Sequence, residues 1–164
     1  MKQKFKFLEH TADIKFQAFG NSIEEVFENS ALAMFNAMFD GKVAGKKKKR
    51  IQVKGKDLEN LMYNFLEELL FLFDSEGFFV AGVENLEIFR EISDKKKIIN
   101  KKKIVGGVNN SNDKGEGIMK LTADIIGDKA ENYKISVDVK AVTYNEMFVR
   151  KEKDKFVAQV VVDV

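Results

Sequence analysis

No cysteine occurs anywhere in the 164 residues. Its absence excludes disulfides, thiolate zinc sites, iron–sulfur clusters and any cysteine nucleophile. Proline is missing too, and nothing in the sequence accounts for that. No stretch approaches the ~18 uncharged apolar residues of a membrane-spanning helix. The opening MKQKFKFLEH has lysines but lacks the apolar run of a secretory signal. A cytoplasmic protein without membrane contact is the expectation. Excess charge is scarce as well: 28 Lys and Arg against 26 Asp and Glu leave a net +2, too little to imply a nucleic-acid partner. Histidine is nearly absent, with His10 the sole example.

What is present suits one globular domain over residues 1–164, since 45% of the chain is apolar and 33% charged. The stretch NSIEEVFENSALAMFNAMFD opens with Ser22 and sets Glu25 three residues later, a capping box. Ile23, Val26, Phe27, Ser30, Ala31, Met34, Phe35 and Met38 then recur at helical spacing. A second helix begins after Asp57, a good N-cap, and stops near Gly77. Its stripe of Leu58, Leu61, Met62, Phe65, Leu66, Leu69 and Phe73 is widened by Leu70 and Leu72, the mark of a helix largely enclosed by other elements.

Strand-like alternation fills most of the rest. Ile14, Phe16 and Ala18 alternate with Lys15 and Gln17, Ile51 and Val53 with Gln52 and Lys54, Leu86 and Ile88 with Glu87. Further strands are expected at 118–126, 133–142 and 146–150. Phe156, Ala158, Val160 and Val162 share one face of the closing run KFVAQVVVDV. Helices early and consecutive strands late predict an α+β fold, two amphipathic helices packed on a largely antiparallel β-sheet. Residues 93–117, rich in Lys, Asn and Gly, read as an insert. Its lysine triplets at 95–97 and 101–103 suit an extended sheet edge, and 106–117 a mobile loop.

Chemistry-bearing motifs are few. Lys46–Arg50 supplies five consecutive positive charges. Without interleaved aromatics, these read as a solvated loop rather than a phosphate-binding surface. There is no P-loop, no dinucleotide-binding spacing and no G-x-S-x-G. The carboxylates are more informative. Asp13 stands where the first strand begins, and Asp163 follows VAQVVV. Such groups must stay solvated, pair with a cation or bind a metal. Spacing alone leaves two readings open for them, capping residues at strand ends or a metal site. If the first and last strands bring their ends together, Asp13, Asp163 and the α-carboxylate of Val164 would give three hard oxygen donors suited to Ca²⁺, Mg²⁺ or Mn²⁺. His10, likewise, is either a turn residue or a ligand.

The blocks EHTADI at 9–14, FGNSIEEVFENSALAMFNAMFD at 19–40, DLENLMYNFLEELLFLFDSEG at 57–77, VKAVTYNEM at 139–147 and VVDV at 161–164 resemble the archease family, in the same order. The resemblance implies an α+β fold and a protein that is not itself an enzyme. It would be an accessory factor that promotes guanylylation and repeated turnover of an RtcB-type tRNA-splicing ligase, in tRNA splicing or RNA repair. The alternative implied role is a chaperone or specificity modulator of a tRNA cytosine methyltransferase. In either role tRNA is met only indirectly. The family's metal site maps onto Asp13, Asp163 and Val164, with calcium as the expected ion. His10 would then orient the turn or support the ligands from behind. One departure stands out: members often carry His after Lys-Ala-x-Thr-Tyr, where this chain has Asn145.

Overall fold

A computed structural model describes residues 2–93, 99–103 and 117–164. The loop expected at 106–117 lies outside the described residues apart from Gly117, and so does the lysine triplet 95–97. The elements run β1 Phe5–Leu8, β2 Ile14–Gly20, α1 Ile23–Met38, β3 Lys47–Gly55, α2 Leu58–Glu76, β4 Phe78–Ser93, β5 Ile99–Lys103, β6 Ile118–Lys129, a short 3-10 turn Ala130–Asn132, β7 Ala141–Glu152 and β8 Lys155–Asp163. This is the expected α+β class.

Both helices begin and end as their capping residues dictate. The Ser22 hydroxyl accepts from the Glu25 N–H at 3.1 Å, while the Glu25 carboxylate reaches back to the Asn21 N–H at 2.7 Å. Asp57 accepts from the Asn60 N–H at 2.7 Å. Gly77 closes α2 in the left-handed region at φ 61°, which a side chain would strain. Gly55 ends β3 so close to α2 that a Cβ there would lie 2.6 Å from the Leu61 backbone nitrogen. Only glycine fits this junction.

The strands form two sheets rather than one. Their orders are β1-β2-β8-β7 and β3-β6-β4-β5, and every described ladder is antiparallel. Each helix touches strands of both sheets, so the helices fill the space between them. Enclosure explains why α1 is buried nearly all round, including Asn29 and Ser30. Asn29 donates to the Phe19 carbonyl and Ser30 to the Val26 carbonyl, both at 2.7 Å, so neither buried polar group lacks a partner. Phe27 of α1 meets Phe65 of α2 with ring centroids 5.8 Å apart. No helix among the described residues is long and apolar enough to cross a membrane.

Two expectations need correcting. Lys47–Arg50 is not loop but the first half of β3, an edge strand paired with Gly127 back to Asp124 of β6. Its charges face solvent and neighbouring acids: Lys48 approaches Glu84 at 3.8 Å, Lys49 pairs with Glu76, and Arg50 donates to Asp124 at 3.2 Å. Lysine on an exposed edge discourages pairing with other chains. β5, which carries Lys101–Lys103, is the opposite edge of the same sheet, in line with the edge expected for that triplet.

The strand expected at 133–142 is also absent before Ala141. The alternation is real, because Tyr133, Ile135, Val137 and Val139 are more buried than the residues between them. The hydrogen bonds, however, go elsewhere. The Tyr133 hydroxyl donates to Asp128 at 2.7 Å and accepts from the Ala44 N–H at 2.9 Å. Ser136 gives its N–H and hydroxyl to the Met38 carbonyl, closing the end of α1. The segment is an extended strap between the sheets, not a member of either.

Replacing fully buried Phe65 by alanine removes the contact at the centre of the helix pair. The expected loss is about 3–5 kcal/mol, read as a lower urea midpoint at unchanged slope.

Candidate metal centre

The site is built by two strands from opposite parts of the chain. β2 and β8 pair from Gly20–Phe156 to Ile14–Val162. Beyond the last pair Asp13 immediately precedes β2 and Asp163 ends β8, so both stand at the same end of this ladder. Phe16 and Ala18 point into the core, so Lys15 and Gln17 occupy the other face. From the far side β7 joins: Ala141 pairs with Asp163, and the Lys140 N–H donates to the Asp163 carbonyl at 2.8 Å. Val164 packs its side chain against the core, which anchors the backbone just beyond Asp163. The sheet register thus brings the sequence-predicted residues Asp13, Asp163 and Val164 to one end of the first sheet.

The turn that delivers Asp13 is tight. Its N–H donates to the Thr11 carbonyl at 2.9 Å, closing a three-residue turn around Ala12 at φ 68°. Positive φ at a residue with a Cβ costs roughly 1–2 kcal/mol. Strain of this kind persists only where surrounding contacts hold it.

Those contacts come from a bulge in β7. Thr143 pairs with Val161 and Phe148 with Gln159, so Tyr144–Met147 all face Val160 alone. Glu146, at φ 54°, folds its carboxylate back over the sheet. It accepts from the Lys15 ammonium at 3.0 Å and lies 3.7 Å from His10 Nε2. Gln159 donates to the Glu146 carbonyl and accepts from Gln17, both at 2.9 Å. The Lys15 hydrogen bond, with its charge and that of His10, holds the Glu146 carboxyl below its ordinary 4.5 against a smaller opposing effect of burial. His10 Nδ1 is buried without a hydrogen-bond partner among the described residues. The lone histidine therefore faces Glu146, which in turn secures the residue two places after Asp13.

Among the described residues no three His, Asp or Glu side chains converge on one metal-sized point. The residues expected from the sequence, Asp13, Asp163 and Val164, would offer oxygen donors only. Donors made only of hard oxygen fit Ca²⁺, Mg²⁺ or Mn²⁺ and suit soft ions poorly. Sequence reasoning missed Glu146 and Lys15. Glu146 sits inside a recognisable block and Lys15 just after one, but only the positive φ at Glu146 and the bulge bring them together.

Two helices enclosed by two antiparallel sheets, the first of which joins the two ends of the chain, define a small α+β class. The model described as Archease protein family (MTH1598/TM1083) matches residues 5–164, and the chain belongs to that family. It is 38% identical over 163 residues to "Protein archease" of Methanosarcina acetivorans, covering 99% of this chain and 97% of the relative. With the Pyrococcus abyssi "Protein archease" it shares 35% identity over 166 residues, covering 99% of each. The solution structure of Methanobacterium thermoautotrophicum Protein 1598 superposes with a TM-score of 0.68 at 31% identity, covering 98% of this chain and 99% of that one. A Thermotoga maritima crystal structure titled as an archease, possible chaperone, shares the fold at TM-score 0.53 and 20% identity, covering 97% and 96%.

Glu146→Gln keeps the shape of the clamp and removes its charge. A carboxyl lowered in the folded state adds stability above its unfolded value of 4.5, and loses it as pH falls through the folded value. Melts between pH 7 and 3 should therefore show a shallower acid decline for Glu146→Gln than for the parent. Superimposable acid limbs would rule out the clamp.

Proposed function

We propose that this chain is a metal-binding accessory protein that activates an RtcB-type RNA ligase, promoting its guanylylation and repeated turnover in tRNA splicing or RNA repair. Family membership supports this reading, and the single observation that carries it is the β2–β8 pairing, which leaves Asp13 and Asp163 at the same end of one ladder. Asp13 and Asp163 would hold a divalent ion, most simply Ca²⁺, with Val164 completing the set. When bound, that ion supplies positive charge and Lewis acidity toward phosphate or carboxylate oxygens. The chain's own residues do the positioning. The Ala12 turn presents Asp13, and Lys15, Glu146 and His10 keep that turn from relaxing. With no nucleophile placed beside a base in this arrangement, the protein acts on the ligase and leaves the bond-making to it.

A second reading, a chaperone-like partner of a tRNA cytosine methyltransferase, draws on the exposed rings of Phe71 and Tyr144. Suppression of methyltransferase aggregation with no effect on ligation would favour it.

Asp13→Ala and Asp163→Ala test the leading reading. Two facing carboxylates repel unless a cation lies between them. Each variant should therefore melt at or slightly above the metal-free parent, lose calorimetric Ca²⁺ binding and lower multiple-turnover ligation at least tenfold. The double variant should be no worse than either single one, since all remove the same unit. Folded variants that bind no Ca²⁺ yet activate normally would separate the metal from ligation.

A further inference from the structure

α2 turns a second face to solvent that the metal centre does not use. Residues 57–77 contain Asp57, Glu59, Glu67, Glu68, Asp74 and Glu76 and no Lys or Arg, in a chain with 28 basic residues. Tyr63, Glu67 and Phe71 follow at four-residue spacing along the side of α2 next to β7, half-buried at Tyr63 and Glu67 and exposed at Phe71. Phe71 is 61% exposed, and Tyr144 52%. The Tyr144 ring stacks on Tyr63 at 4.2 Å with planes 7° apart, and its hydroxyl accepts from Asn60 at 2.7 Å. One aromatic is therefore held rigid on the surface, and another stands out two turns along the same helix.

Folding does not explain this face. α2 already buries Leu61, Met62, Phe65, Leu66 and Leu69 completely, whereas an exposed ring at 71 adds almost no burial. Rigid aromatic anchors inside a charged rim are the anatomy of a protein interface. The sign of the rim selects the occupant. Glu59 and Glu67 accept from β7 and Glu76 pairs with Lys49, which leaves Glu68 and Asp74 as the acids of this rim; carboxylates there repel RNA phosphates and attract a surface rich in Lys and Arg. Enzymes that hold RNA carry such surfaces.

We propose that the outward face of α2, with Tyr144, is the docking surface for the ligase, seating Phe71 in an apolar hollow bordered by lysines and arginines. The partner's identity rests on the activator reading above; the surface itself rests on exposure and charge. Docking and metal binding are then separate tasks of one small domain.

The test uses the full chain and the cognate RtcB-type ligase in calorimetric titrations at low and high salt, with thermal melts of every variant. Phe71→Ser should weaken binding about 30-fold, equivalent to about 2 kcal/mol at 1.4 kcal/mol per tenfold. The pair Glu68→Lys and Asp74→Lys should weaken it about tenfold and flatten its salt dependence. Lys134→Glu, on the strap, should bind as the parent does. Asp13→Ala should still bind the ligase without activating it. If Phe71→Ser fails to fold, the charge pair decides the matter. Folded α2 variants that bind within twofold of a parent that activates would overturn the surface and leave the activator reading standing. A parent that neither binds nor activates the ligase would overturn both. Light scattering that shows a dimer lost in Phe71→Ser would assign the face to a second copy, and loss of RNA binding by the isolated Phe71→Ser protein would assign it to RNA; either overturns the proposal.

Discussion

The pairing of β2 with β8 is the constraint on which the rest depends. Seven consecutive residue pairs join segments more than 130 positions apart in the chain. They place the two strands at the centre of the first sheet, between β1 and β7. Without them the first sheet has no middle, α1 loses one of its two walls, and Asp13 and Asp163 have no reason to meet. The register is fixed by burial: Phe16 and Ala18 lie opposite Val160 and Ala158, all four fully buried, with Val162 buried beyond them. A slip of one residue would turn the side chains of one strand to solvent and bring Lys15 or Gln159 inward.

The exposed edges show how a small fold built on this ladder avoids unwanted partners. The outer side of β7 is covered by α2, whose Glu67 and Glu59 carboxylates accept from the Val142 and Val149 N–H groups at 2.6 and 3.3 Å. Side chains of a helix thus satisfy backbone groups that an adjoining strand would otherwise take. The second sheet uses lysine on its edge strand β3 instead. Acid is gathered on the helices and base on the strands, so a net charge near zero conceals strongly signed surfaces.

What could be read from the sequence was mostly local. Ser22, Asp57 and Gly77 mark helix ends by hydrogen bonds within a few residues, so their signals survive without tertiary knowledge. The breadth of the α2 stripe already implied enclosure. The division into two sheets was not legible, because strand order depends on pairing between segments far apart. Tyr133–Val139 alternates as a strand does, yet Tyr133 and Ser136 hand their hydrogen bonds to Asp128, Ala44 and Met38. β1 is four residues long and hid in a lysine-rich start. At the site, Asp13 and Asp163 carried a signal in their strand-end positions and in the resemblance. Glu146 carried none, since its role arises from a bulge and a positive φ that no residue type announces.

The central position of the β2–β8 ladder has a kinetic consequence. A chain whose inner sheet closes by its most distant contact has a high contact order, and loop-closure entropy must be met before that pairing gives anything back. Hairpins such as β7–β8 can form early, but the carboxylate pair cannot exist in any partly folded chain that lacks the final docking of β2 against β8. A cation held between the two carboxylates would favour only the finished topology, and a partner that required it would ignore every intermediate.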